Sequence, residues 1–285
     1  MKLKFIAAGL ISFLWLVTAA TADLLSAGVN LGAAGQTHRW ALFTLGADEN
    51  GYGVWIQGPP GGINQYSSAD IVGNIAIAGA ARGLGTDIFA EGYTHIDGDI
   101  YMNAAGDVIT EARVDIDGTI YRGATTTTLL NKGITDARNA SLAASQLKAS
   151  TAFAGMTTIR ANTSLSLTTT GNAVLRLSDF TLDKGATLTL SGPASSSFIF
   201  NITGTFAIEG GSQILLTGGL TASNVLFNVT GTGSTLQIQG DSLVYGTILA
   251  PNRAVELGGQ QTKLNGSIIA NNVLIGSGAQ VSASY

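Results

Sequence analysis

Residues 198–205, FIFNITGT, and residues 225–232, VLFNVTGT, carry one alternating pattern 27 residues apart. A period of two puts Phe200 and Ile202 on one side of a strand and Asn201, Thr203 and Thr205 on the other, with Asn228, Thr230 and Thr232 repeating the polar side one unit later. A shorter x-Gly-x-Ile element recurs as VGNI (72–75), DGDI (97–100), DGTI (117–120), YGTI (245–248) and NGSI (265–268). Its glycines lie 25 and 20 residues apart in the first cluster and 20 in the second. Units of this length, built from short alternating strands and glycine turns, suit the coils of a β-solenoid. One coil cannot bury its own apolar side, whereas stacked coils align Phe200, Ile202, Leu226 and Phe227 into inward columns. Glycine serves the corners, where the backbone needs positive φ.

One stretch breaks the alternation. Residues 129–153, LLNKGITDARNASLAASQLKASTAF, are rich in Ala and Leu, and Leu130, Ile134, Ala137, Leu142 and Leu147 recur at largely helical spacing. The pattern predicts a helix over about 129–153, capped by Thr128 and stopped by Gly155. Such a helix spans about 36 Å, the height of seven or eight coils, so it is expected to lie along the solenoid and cover one flank. The predicted fold is all-β, a β-solenoid (β-helix) with one long helix packed alongside.

Composition narrows the class. The chain has 285 residues, 38 of them Gly, no Cys, and as many threonines as charged residues. Its 45% hydrophobic content excludes disorder, and glycine without a three-residue period excludes collagen. Residues 1–22 read as a signal peptide: Lys2 and Lys4 precede an apolar run at 5–17 and an Ala-x-Ala site at 20–22. The remaining 23–285 are expected to form a single solenoid domain, secreted and without a membrane span. Removing Lys2 and Lys4 from the 14 basic residues leaves 12 against 18 acidic ones, which argues against nucleic acid as a partner.

The catalytic inventory is thin. There are two histidines, His38 and His95, no cysteine, and no G-x-S-x-G, H-E-x-x-H or phosphate-loop motif. Asp97 and Asp99 share one strand face, as do Asp115 and Asp117, and a 20-residue offset stacks Asp97 over Asp117. Asp before Gly is turn chemistry; stacked carboxylates would also suit a calcium ion or a hydrolytic pair. With the turn reading adopted, no catalytic residue, metal or cofactor is expected. The candidate binding face is the polar ladder of Asn201, Thr203, Thr205, Asn228, Thr230 and Thr232, which could dock an extended ligand or order water. The plainer reading is that threonine simply favours strands, and residues 213–217 and 237–239 do not extend the ladder.

LGAAG at 31–35, IVGNIAIAG at 71–79, SFIFNITG at 197–204, GGLTASNVLFN at 218–228 and, most specifically, YGTILAPNR at 245–253 resemble the bacterial choice-of-anchor A domain. Solenoid geometry alone does not ask for Ala-Pro-Asn after an apolar strand. The resemblance implies an exported, noncatalytic adhesion module facing an extracellular polymer, matrix or cell surface. That family's C-terminal anchors have no counterpart in VSASY at 281–285, so attachment through one is not expected. The plan is also similar to the bacterial and fungal ice-binding β-solenoids, which implies the alternative that a Thr/Asn-rich face binds ice.

Overall fold

The computed structural model describes residues 29–34, 40–56, 69–79, 83–86, 94–103, 107–109, 114–259 and 261–283, with the backbone alone at 83–86 and 107–109. The leader expected at 1–22 lies outside them. The strands wind into stacked three-sided coils, all paired in parallel. Face A is a nine-stranded sheet from Thr158–Ala161 at one end to Asp107–Ile109 at the other. Faces B and C are the two halves of a sixteen-stranded sheet that bends at a corner.

The corner is the x-Gly-x-Ile element. Leu243–Ala250 and Lys263–Ala270 are continuous strands whose first halves lie on face B and second halves on face C. Gly246 and Gly266, at φ 138° and 143°, make the bend between them. A Cβ on Gly266 would sit 2.0 Å from the Gly246 carbonyl oxygen, so the corners stack too closely for any side chain. The isoleucines that follow point inward. Leu175, Phe200, Phe227, Ile248, Ile268, Leu42, Ile75, Ile100 and Ile120 form one registered column through the solenoid. Phe200 and Phe227 stack within it at 5.0 Å between ring centroids.

Chain order and spatial order differ. The N-terminal strands start in the middle of the stack at Trp40–Thr44 and climb to Ile120–Tyr121; the helix then returns, and Thr158–Ala161 begins the climb from the opposite end. The two halves meet in one shared coil, where Val273–Ile275 and Gln280–Ser282 supply faces A and B and Trp40–Thr44 supplies face C. Counting from Thr158, this shared coil is the sixth of nine among the described residues.

The helix runs over Ala124–Gln146, earlier at both ends than the predicted 129–153. Thr128 is not its cap: Gly123 at φ 115° precedes the first turn, and the Thr128 hydroxyl donates inside the helix to the Ala124 carbonyl at 2.9 Å. After Gln146 the chain turns extended, and Ser150 donates its N–H to the Val174 carbonyl. The helix lies on face C as expected, touching strands from Ser197–Ile202 up to Ile100–Met102.

Its buried stripe is Thr126, Leu130, Gly133, Ala137, Ala140, Ser141 and Ala144. Small residues let the helix settle close to the sheet, and Leu142, one position round from Ser141, is left 58% exposed where the spacing had placed it inside. Leu226 also differs from expectation. It faces the helix beside Ile199, Leu249 and Ile269, because it alternates with Phe227 and only one of the two can point into the solenoid. The opening segment joins this layer: the Ala33 N–H donates to Asp136 of the helix at 2.6 Å, and Trp40 Nε1 donates to the Ala33 carbonyl at 2.9 Å.

Candidate functional site

The six residues of the predicted ladder fall into two environments. Asn201 and Asn228 are in register on adjacent coils of face C, as the 27-residue repeat requires, but the helix lies over them. Asn228 Nδ2 donates to the Ser141 carbonyl at 3.0 Å and to Asn201 Oδ1 at 2.7 Å, while the Ser141 hydroxyl donates to Asn228 Oδ1 at 2.7 Å. Asn201 Nδ2 donates to the Ala144 carbonyl at 2.7 Å. With Asn201 4% and Asn228 0% exposed, this pair holds the helix and offers nothing to solvent. The ladder was expected outside because alternation distinguishes core from not-core, and a covering helix makes the second side interior as well.

Thr203, Thr205 and Thr232 are exposed and Thr230 is half-buried, but all four stand on the turns from face C to face A rather than in a strand ladder. Thr203 and Thr230 donate their hydroxyls back to the Leu177 and Ile202 carbonyls at 3.3 and 3.4 Å. The Thr205 N–H donates to Asp179 Oδ1 at 2.9 Å, a bond that holds the Asp179 carboxyl below its ordinary pKa. Arg253 clamps these turns. Its buried guanidinium donates to the Gly204 carbonyl at 2.6 Å and, through Nε at 2.8 Å and Nη2, to the Ser234 carbonyl. Burial lowers the Arg253 pKa.

Face B is the open ladder. Ser164, Ser166 and Thr168 register with Thr187, Thr189 and Ser191 on the next coil, and Ser191 with Thr217 on the third. Each alternates with an inward leucine or isoleucine and is exposed or half-exposed. The hydroxyls are therefore about 4.8 Å apart between coils and about 6.7 Å apart along a strand. The array then changes character, passing through Leu215 and Leu243 to Tyr245, Lys263 and Asn265. Reasoning from the near-identical 198/225 repeat missed it, although SLSLT at 164–168 and TLTLS at 187–191 carry the same hydroxyl-leucine alternation.

The far end of face B is acidic. Asp70, His95 and Asp115 are neighbours in register, and Asp97 follows Val72 in the adjacent column. The predicted stacking of Asp97 beside Asp117 is met, since Ile96 pairs with Ile116 immediately before them. Asp117, however, is engaged by His95, whose Nε2 lies 3.1 Å from Asp117 Oδ2 and whose Nδ1 lies 3.1 Å from Asp70 Oδ1. Asp99, which follows Gly98 rather than preceding a glycine, accepts the N–H of Thr119 on the next coil at 2.8 Å. Among the described residues no group of three or more His, Asp or Glu is placed to hold a metal ion.

Over residues 30–282 the sequence matches the family described as "Putative Ice-binding-like adhesive domain". The chain belongs to this family. The ice-binding-like adhesive domain shares its fold with solved ice-binding proteins at low identity. One from the Antarctic ascomycete Antarctomyces psychrotrophicus is 19% identical, covers 90% of this chain and 98% of its own, and superposes with a TM-score of 0.56. The Arctic yeast protein (LeIBP) is 18% identical with coverages of 92% and 96% and a TM-score of 0.55. The DUF3494 domain of the Shewanella frigidimarina ice-binding protein is 18% identical with coverages of 90% and 98% and a TM-score of 0.54. No curated protein matches the sequence. No helix among the described residues is long and apolar enough to cross a membrane.

Proposed function

We propose that this domain is a noncatalytic extracellular adhesion module that docks face B against a hydroxyl- or amide-bearing polymer, matrix or cell surface. The observation that carries the reading is the registered grid of Ser164, Ser166, Thr168, Thr187, Thr189 and Ser191, continued by Thr217 and Gln213. Flat rows of hydroxyls on a rigid parallel sheet offer many donors and acceptors at fixed spacing, and little entropy is lost when they bind. The chemistry beyond the grid favours a polymer over a crystal surface, because Leu215, Leu243 and Tyr245 interrupt the hydroxyl rows and the far end is acidic. The leader read at 1–22 supports an extracellular location.

The test is a pull-down of the mature protein on biofilm polymers and whole cells. Retention that falls in Thr189→Tyr but not in Thr232→Tyr supports face B; the reverse assigns docking to the corner threonines Thr203, Thr205, Thr230 and Thr232. Absence of retention on every surface sinks the adhesive reading. Ice binding is the second reading, favoured by the same two-dimensional hydroxyl grid. Thermal hysteresis and recrystallisation assays decide it, with Thr189→Tyr again the informative variant.

A further inference from the structure

Between the C-terminal half of the helix and the turns from face C to face A lies a groove of about 320 Å³. Arg138, Leu142 and Ser145 form its helix wall, and Thr230, Pro251 and Asn252 the opposite one. Three of its side chains have no structural task. Leu142, 58% exposed, is an apolar surface that the helix packing does not use. Arg138 is exposed, with no hydrogen bond or ion pair to another described residue, and the Asn252 amide is likewise unengaged. The hydroxyls around them are committed: Ser145 donates to the Leu142 carbonyl at 2.7 Å and Thr230 to the Ile202 carbonyl at 3.4 Å.

The opposite wall is a fixed structure. Arg253 reaches from the Pro251–Asn252 turn to the carbonyls of Gly204 and Ser234, locking three successive turns together. This gives APNR at 250–253 its parts: the arginine anchors the turn, while the proline and asparagine face the groove. Solenoid packing accounts for the first role and leaves the second open.

We propose that this groove binds a small carboxylate carrying a short apolar chain. Arg138 supplies one positive charge and, with the Asn252 amide, N–H donors suited to a planar two-oxygen acceptor. Leu142 supplies exposed apolar surface for the chain, and the buried Pro251 closes the opposite wall. A doubly charged phosphate would leave one charge uncompensated and the apolar walls unused. The volume lies at the small end of ligand pockets, which suits one short acyl chain. The site is separate from face B, so failure of docking on face B leaves carboxylate binding untouched.

The experiment is an amide-detected NMR titration of the mature chain with octanoate, octanol and acetate. Octanoate should give saturating shifts at Ser145, Thr230 and Asn252, with octanol and acetate each at least about tenfold weaker, the loss expected for one charge-assisted hydrogen bond or one covered apolar chain. Arg138→Gln and Leu142→Ser should each weaken octanoate about tenfold while leaving the thermal midpoint in place, since both side chains are exposed. The proposal is overturned if octanoate gives no saturating shifts, if octanol binds as tightly, or if Arg138→Gln leaves octanoate affinity unchanged.

Discussion

Asn228 Nδ2 donates to Asn201 Oδ1 at 2.7 Å, joining two adjacent coils beneath the helix. Each asparagine also donates to a helix carbonyl, Asn201 to Ala144 and Asn228 to Ser141, where those carbonyls would otherwise face an apolar sheet. The pair therefore serves the coil stack and the helix docking at once. Truncating Asn228 to Ala leaves Ser141 and Asn201 groups buried without partners. The expected loss is about 3 kcal/mol in urea unfolding, with hydrogen exchange rising first in the C-terminal half of the helix. Asn228→Asp should cost more, because it buries a charge with no cation beside it.

Gly133 sits on the buried stripe of the helix against Phe43 of the shared sixth coil. A Cβ there would lie 2.3 Å from the ring Cζ. Gly to Ala inside a helix normally stabilises by about 1 kcal/mol, since alanine loses less backbone freedom. Here Phe43 is fully buried and cannot retreat, so Gly133→Ala should instead destabilise by about 1–3 kcal/mol. Phe43→Leu shortens the side chain and removes the clash. A double-mutant cycle should therefore give a coupling that makes the pair of changes cheaper than the sum of the singles; strict additivity would contradict the contact.

The sequence made the inner lining legible and left the outer faces ambiguous. The x-Gly-x-Ile element located both the corner at Gly246 and Gly266 and the column that follows it, because a close backbone approach and an inward isoleucine are each dictated locally. The 27-residue repeat set the register of Asn201 on Asn228. Which outward side would stay wet was not readable there, since that depends on where a helix more than fifty residues earlier in the chain comes to rest. Leu142 illustrates the converse: its spacing fits an apolar stripe, but Gly133, Ala137, Ala140 and Ala144 define a tighter one beside it. The interlocking of the chain halves in the sixth coil was equally hidden, because strand pairing between residues 40–44 and 268–270 leaves no periodic trace.

Arg253 should be irreplaceable by lysine. Its guanidinium reaches two carbonyls on different turns, Gly204 and Ser234, through three separate nitrogens, and among the described residues no acidic side chain pairs with it. A lysine ammonium is a compact point charge on a flexible stem and cannot present donors in that fixed fork. Arg253→Lys is expected to lose about 2 kcal/mol, and Arg253→Met somewhat more, because carbonyls at the turns then lack partners. Chemical denaturation reads the loss. If Arg253→Lys proves neutral, the three-nitrogen clamp is not what holds these turns.

His95 gives the domain a pH-dependent brace across three successive coils. Its two ring nitrogens each face a carboxylate oxygen at 3.1 Å, Asp70 on one side and Asp117 on the other. Carboxylates only accept, so satisfying both requires N–H on both nitrogens, which only the imidazolium has. The hydrogen bonds with Asp117 and Asp70 accordingly raise the His95 pKa above 6.5, against a smaller opposing effect of burial. Asp97 on its own strand and Asp115 on the next add further negative charge to the surroundings. A raised folded-state pKa means that the stabilisation is fully present below the unfolded value and fades as pH rises through the folded one. The thermal midpoint of the parent protein should exceed that of His95→Gln at about pH 5.5, and the gap should close by about pH 9. A gap that stays constant over that range, or widens with pH, would show that the imidazolium is not the bracing species.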